Sequence, residues 1–316
     1  MVIPLFSTNR LGGSAVRKRL RRRSQLTAIN SNREHLGRDV DGQPGSSSSY
    51  ESSPWLGAPN FNNISWLSVS ITAYGKQMEA IPFGYGGGPT TLIPADQPFA
   101  GRESGGGTRA EVYGNSYYGS GYPGRQDRGV DGRGFPFVFW PVVFTAPAIG
   151  GGASYLYREV EYGGTDNSTR PGFALQQSAF STSNCTFRLI SDTTTTTYLY
   201  YAITRGCALS VNGLLSSLPT TYNSTSSYGR PEQAVQYYRA SSVVLTLDGY
   251  NNTAALNDTD PVGPPAPLPS TIDVDLLKCI NATIGASVPL VGSSGHAHGH
   301  PTLILLTWLI FFCYFM

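Results

Sequence analysis

Apolar positions are spread unevenly along this chain, and their spacing changes character near residue 135. From Gly132 to Ile149 the sequence reads GRGFPFVFWPVVFTAPAI, an uncharged, aromatic-rich run broken by Pro136, Pro141 and Pro147. Proline removes a backbone donor and clashes with the preceding helical turn at about 3 kcal/mol or more. The prolines therefore argue against a membrane span and predict an extended segment, Phe135 to Phe144, packed onto the domain that follows. Downstream, SYLYREVEY (154–162) alternates like a strand. Phe173 to Phe180 and Thr186 to Ile190 read as two more strands, separated by the polar turn STSN.

Asp192 then sits as an N-cap before TTTTTYLYYAITRGC, where Leu199, Ala202 and Ile203 share one helical face. VVLTL (243–247) reads as a buried strand ended by the turn pair Asp248-Gly249. After the linker PVGPPAPLP, Ser270 or Thr271 is placed to cap a second helix. Its apolar stripe is Ile272, Leu276, Leu277, Ile280 and Ile284. The order β-β-β-α-β-α predicts an α+β fold, a small domain over residues 135–290 with a mainly antiparallel sheet and two helices on one face.

The chain before this domain predicts little regular structure. Residues 1–79 form a basic leader with the cluster Arg17 to Arg23, read as solvated and disordered. Within it, ISWLSVSITAY (64–74) has the length of a signal-sequence apolar core and carries Ala73 at a cleavage-like position; a buried strand is the competing reading. Residues 80–134 are Gly/Tyr-rich, with about fifteen glycines between 82 and 134 and no apolar period, which predicts a flexible low-complexity segment. The literal GxGxxG at Gly119–Gly124 lacks the strand before it and the helix after it that a dinucleotide site needs.

Charge sharpens the division. The net +2 conceals nine bases against two acids in residues 1–39, leaving 13 bases and 18 acids in the remainder. That acidic body offers no footprint for nucleic acid; the cluster Arg17 to Arg23 with the pairs Arg128-Gly129 and Arg133-Gly134 carries a less favoured alternative reading as an RNA-binding protein. The four histidines are His35, His296, His298 and His300, so the body has none. This excludes histidine-based triads and ordinary catalytic zinc sites there, and no metal or cofactor is expected. Paired carboxylates are the chemistry left open. Glu159, Glu161 and Asp166 form the one local cluster, the basis of an alternative reading as a carbohydrate-active enzyme.

The densest motif signal is the Asn-x-Ser/Thr sequon, at Asn63, Asn167, Asn184, Asn223, Asn251, Asn257 and Asn281. At the C-terminus, small residues around Ser293, the spacer HAHGHP and the apolar run Thr302 to Met316 follow the order of a GPI-anchor signal over 291–316, with Ser293 as the attachment site. A retained transmembrane tail is the alternative. Cys313 lies in that run, which leaves Cys185, Cys207 and Cys279. Closing 207–279 is worth roughly 4 kcal/mol and 185–207 roughly 3, so chain entropy does not separate them. Cys185 is the middle residue of the sequon at Asn184, where a glycan would hinder pairing, so Cys207–Cys279 is the expected bridge.

Four blocks carry a family resemblance: PFAGRESGGGTRAEVYGNSYYGSGYPG, GRGFPFVFWPVVF, RPEQAVQYYRASSVVLTLDGYNNT and LPSTIDVDLLKCINATIG. Over about residues 80–290 the chain resembles secreted or surface glycoproteins of mushroom-forming basidiomycete fungi, a family with no assigned activity. The resemblance implies a signal peptide cleaved upstream of AYGKQMEAIP and also favours the Cys207–Cys279 pair. The expectation is a non-enzymatic, N-glycosylated protein at the outer face of the plasma membrane or in the cell wall. It would be held to the membrane by its C-terminal anchor, with wall polysaccharide as partner.

Overall fold

The computed structural model describes residues 68–125, 127–145, 153–257 and 264–292. The basic cluster at Arg17, the sequon at Asn63, the anchor site Ser293 and the run Thr302 to Met316 lie outside them.

The elements in chain order begin with β1 (Val69–Ala73), β2 (Lys76–Ile81), β3 (Thr91–Leu92), β4 (Glu103–Ser104) and the one-turn helix α1 (Glu159–Tyr162). Next come β5 (Leu175–Ser181), β6 (Thr186–Asp192), α2 (Thr193–Cys207), β7 (Leu215–Ser216) and β8 (Thr220–Thr221). The chain continues through β9 (Ala234–Tyr238), β10 (Val243–Leu247), α3 (Val274–Ser287) and β11 (Leu290–Val291). The main sheet is antiparallel, ordered β7-β5-β6-β10-β9, with β8 also paired to β5. This is the α+β architecture that the spacing implies.

Two layers cover this sheet, and β9 shows how. Successive strand residues point to opposite faces. Tyr237 meets the Tyr118 ring at 5.6 Å, while the hydroxyl of Tyr238 donates to Oδ1 of Asn281 on α3 at 2.9 Å. Helices α2 and α3 thus take one face, and an irregular aromatic layer takes the other. Every residue of β10 is buried as a result. Phe135, Phe137, Trp140, Val142, Val143 and Phe144 belong to the core without forming helix or strand, as the prolines require. Arg170 fastens this layer, donating from Nη2 to the carbonyls of Trp140 (3.0 Å) and Pro141.

The Gly/Tyr-rich segment departs from the flexible arm expected of it. Val112, Tyr118, Tyr122 and Val130 are buried within the same core, and Tyr118 donates to the carbonyl of Val142. Tyrosines supply the buried bulk, and glycines allow the chain to turn sharply between them. Gly119 has φ +88°, and a Cβ there would lie 2.2 Å from the carbonyl oxygen of Gly129. The ordered domain therefore begins well before residue 135.

Three further expectations change. Over 69–73 the signal-like run is strand β1, paired to β2, with Ile71 and Ala73 buried against Val138 and Phe139. Cleavage after Ala73 would remove that strand. SYLYREVEY forms a 3-10 turn and then α1 rather than a strand. Two short helical turns bury both Leu156 and Tyr162 and leave Val160 wholly exposed, an arrangement that strict alternation could not give. The second helix is capped by Asp273, whose carboxylate accepts from the Leu276 amide at 2.9 Å, rather than by Ser270 or Thr271. Asp192 caps α2 as expected, accepting from the Thr195 amide at 2.8 Å.

A candidate binding cleft

Three stretches far apart in sequence come together beside the aromatic layer: 101–106, 122–136 and 155–158. Backbone bonds hold the first two in register. The Phe135 amide donates to Glu103 O at 2.8 Å, and the Gly105 amide to Phe135 O at 3.0 Å. Gly134 permits this approach, because a Cβ there would sit 2.5 Å from Glu103 O. Between these stretches opens a cleft of about 740 Å³ lined by Arg102, Arg125, Arg128, Arg133 and Arg158 together with Glu103, Asp127 and Asp131.

Three of the arginines are built into the wall. Arg133 is almost fully buried, donates to the carbonyls of Gly119, Asp127 and Arg128 at 2.8–3.0 Å, and stacks on Tyr122 at 4.7 Å. Arg102 pairs with Glu161 at 2.5 Å and lies over the Phe99 ring at 5.0 Å. Arg128 donates to the Tyr155 hydroxyl at 3.2 Å and to the carbonyl of Asn257. Arg125 and Arg158 stand at the mouth instead, with side chains 59% and 43% exposed. Each pairs with an exposed carboxylate, Arg125 with Asp127 at 3.5 Å and Arg158 with Asp131.

Asp131 also meets Glu161. Its interaction with Glu161, followed by the attraction of Arg158 and Arg102, holds the Asp131 carboxyl below the usual carboxylate range. Glu161 in turn accepts from the Gly132 amide at 3.1 Å. This bears on the carboxylate cluster read from sequence. Glu159 accepts instead from Thr145 Oγ1 at 2.8 Å, and Asp166 is exposed on a loop, so the three acids do not share a site. The acid facing Glu161 is Asp131. Among the described residues, no group of His, Cys, Asp and Glu side chains is arranged to hold a metal ion.

The sequons occupy varied settings. Asn184, Asn223, Asn251 and Asn257 are exposed on loops and turns, and Asn167 is half-buried. In Asn167 and Asn223, Oδ1 accepts from both the amide and the hydroxyl of the residue two positions on, Thr169 and Thr225, at 2.7–3.0 Å. Asn281 differs. It lies in the middle of α3, its Oδ1 is taken by Tyr238, and Thr283 is fully buried. Cys207 and Cys279 form a disulfide that joins α2 to α3 with both residues buried, while Cys185 has a free thiol whose sulfur accepts from the Asp273 amide at 3.4 Å.

Sequence reasoning did not find the cleft. Its one trace was the pair of Arg-Gly steps at 128–129 and 133–134, weighed only as an RNA-binding tail. Comparison with family models, curated proteins and solved structures finds no match. No helix among the described residues is long and apolar enough to cross a membrane.

Proposed function

We propose that this chain is an N-glycosylated protein of the fungal cell surface or its secretions, held by a C-terminal GPI anchor, which acts by binding rather than by catalysis. The observation that carries this reading is the Cys207–Cys279 disulfide, buried between the two long helices. Structural disulfides of this kind form and persist in oxidising compartments such as the secretory pathway. The sequons at Asn184, Asn223, Asn251 and Asn257 add support, since their side chains are exposed where a glycan can extend into solvent. The binding role rests on the cleft, whose polar lining suits extracellular polysaccharide. The test is expression of the full gene in a fungal host, followed by treatment of membranes with a phosphatidylinositol-specific phospholipase and by glycosidase digestion. Release from the membrane with a large drop in apparent mass is expected. A soluble, unglycosylated product would overturn the proposal.

A further inference from the structure

The cleft has a charge pattern that its surroundings lack. Residues 40–316 hold 13 bases against 18 acids, yet five of the eleven arginines among the described residues line this one opening. Against them stand three lining carboxylates and Glu161, which pairs with Arg102, so the opening carries an excess of one positive charge in an otherwise acidic body.

We infer that the cleft binds an oligosaccharide bearing uronic-acid carboxylates; this rests on the reading of the chain as an extracellular, polysaccharide-contacting protein. Arg102, Arg128 and Arg133 are fixed by internal partners and set the field. Arg125 and Arg158 at the mouth are the groups that can turn to a ligand. Each now faces an aspartate that is itself half-exposed or more, Asp127 at 62% and Asp131 at 50%. An exposed ion pair of this kind contributes about 0–1 kcal/mol, so exchanging partners costs little. A ligand carboxylate accepts from the guanidinium fork in the two-pronged geometry arginine favours. Asp127 stays paired with the buried Arg133 at 2.8 Å, and the remaining lone pairs of both aspartates accept from ligand hydroxyls.

That combination selects among anions. A groove for nucleic acid neutralises consecutive phosphates and gains nothing from carboxylates at its mouth. Sugars carrying one negative charge per ring and several hydroxyls use both halves of each Arg–Asp pair. The volume of about 740 Å³ lies in the range of small-ligand sites, roughly 300–1,000 Å³. Tyr155, half-buried and stacked on Tyr118, also lines the opening.

The test is calorimetric titration of the protein secreted from a eukaryotic host with trigalacturonate, with a neutral glucose trisaccharide and with mannose 6-phosphate. Trigalacturonate is expected to bind about tenfold or more tightly than either comparator, and to weaken as salt is raised. Arg125→Glu and Arg158→Gln should each weaken it about tenfold while the thermal melting curve stays in place. Equal or stronger binding of the neutral trisaccharide or of mannose 6-phosphate, no binding at all, or indifference to both substitutions would overturn the inference. Disulfide and glycan mapping of the same sample keeps the two readings apart. A glycosylated, bridged protein without uronate preference removes only this inference, whereas free thiols and bare asparagines remove the extracellular reading whatever binds.

Discussion

Nη2 of Arg239 lies 2.8 Å from Oδ2 of Asp192 in the interior, with both side chains almost wholly removed from solvent. The same aspartate caps α2 through its other oxygen. Arg239 in turn donates to Ser242 Oγ at 2.8 Å and Pro289 O at 3.0 Å, and packs 3.5 Å above the Phe139 ring. One ion pair therefore joins the β9–β10 turn, the start of α2, the segment after α3 and the aromatic layer. Burial pushes the Arg239 guanidinium down to about 10, and Asp192 works against that shift.

Asp192→Ala should be among the most damaging single changes. It removes a cap worth about 1 kcal/mol and leaves a buried guanidinium unpaired, which costs about 3–5 kcal/mol. Urea unfolding should show a loss of about 4 kcal/mol or failure to fold. Arg239→Met should also be damaging, because it leaves the Asp192 carboxylate buried without its ion-pair partner, whereas replacing both residues by apolar side chains should cost less than either single change.

The turn carrying Arg239 is strained. Arg239, Ala240 and Ser241 all have positive φ, at 50°, 49° and 60°, in a run without glycine. Ser241 is held there by its hydroxyl, which donates to Ser120 O and accepts from the Gly119 amide. Ala240 has no such side-chain anchor. Ala240→Gly should therefore stabilise the fold by up to about 1 kcal/mol, whereas Ala240→Val should destabilise it by about 2 kcal/mol. Paired thermal melts read both signs.

The bridge between the helices closes a sequence separation of 72 residues. In the chain-entropy model such a loop is worth roughly 4 kcal/mol. Replacing Cys207 and Cys279 together by Ala should lower unfolding stability by about 2–4 kcal/mol, and reductant should then have no further effect on the variant. A reductant response that survives the double substitution would place the bridge elsewhere.

Asp131 gives a pH signature. Its folded carboxyl titrates below the unfolded value, so its contribution to stability is present above the ordinary carboxylate range and is lost as pH falls through the depressed folded value. Asp131→Asn should be less stable than the parent near neutrality, and the difference should shrink toward about pH 3. Chemical denaturation across that range measures it.

Legibility followed the locality of the signal. Helix α2 could be read because Asp192, the Thr run and the Leu199–Ala202–Ile203 face lie within a dozen residues. Strand β10 is a short, nearly continuous apolar run, and β5 and β6 are short segments set off by the polar turn between them. The ordered Gly/Tyr segment was not legible, because glycine content reports chain entropy, while the offsetting burial of Tyr118 depends on Phe144 and Tyr237, residues far away. The cleft was hidden for the same reason. Arg102, Asp131 and Arg158 belong to three separate stretches, and only the fold brings Glu161 against Asp131.

The central claim is passage through an oxidising, glycosylating compartment, and non-reducing peptide mapping of the protein secreted from a fungal host tests it most directly. The expected result is a Cys207–Cys279 linked peptide, a free Cys185, and glycans on Asn184, Asn223, Asn251 and Asn257, with Asn281 in its helix the least occupied. Free thiols at Cys207 and Cys279 together with unmodified loop asparagines would contradict it.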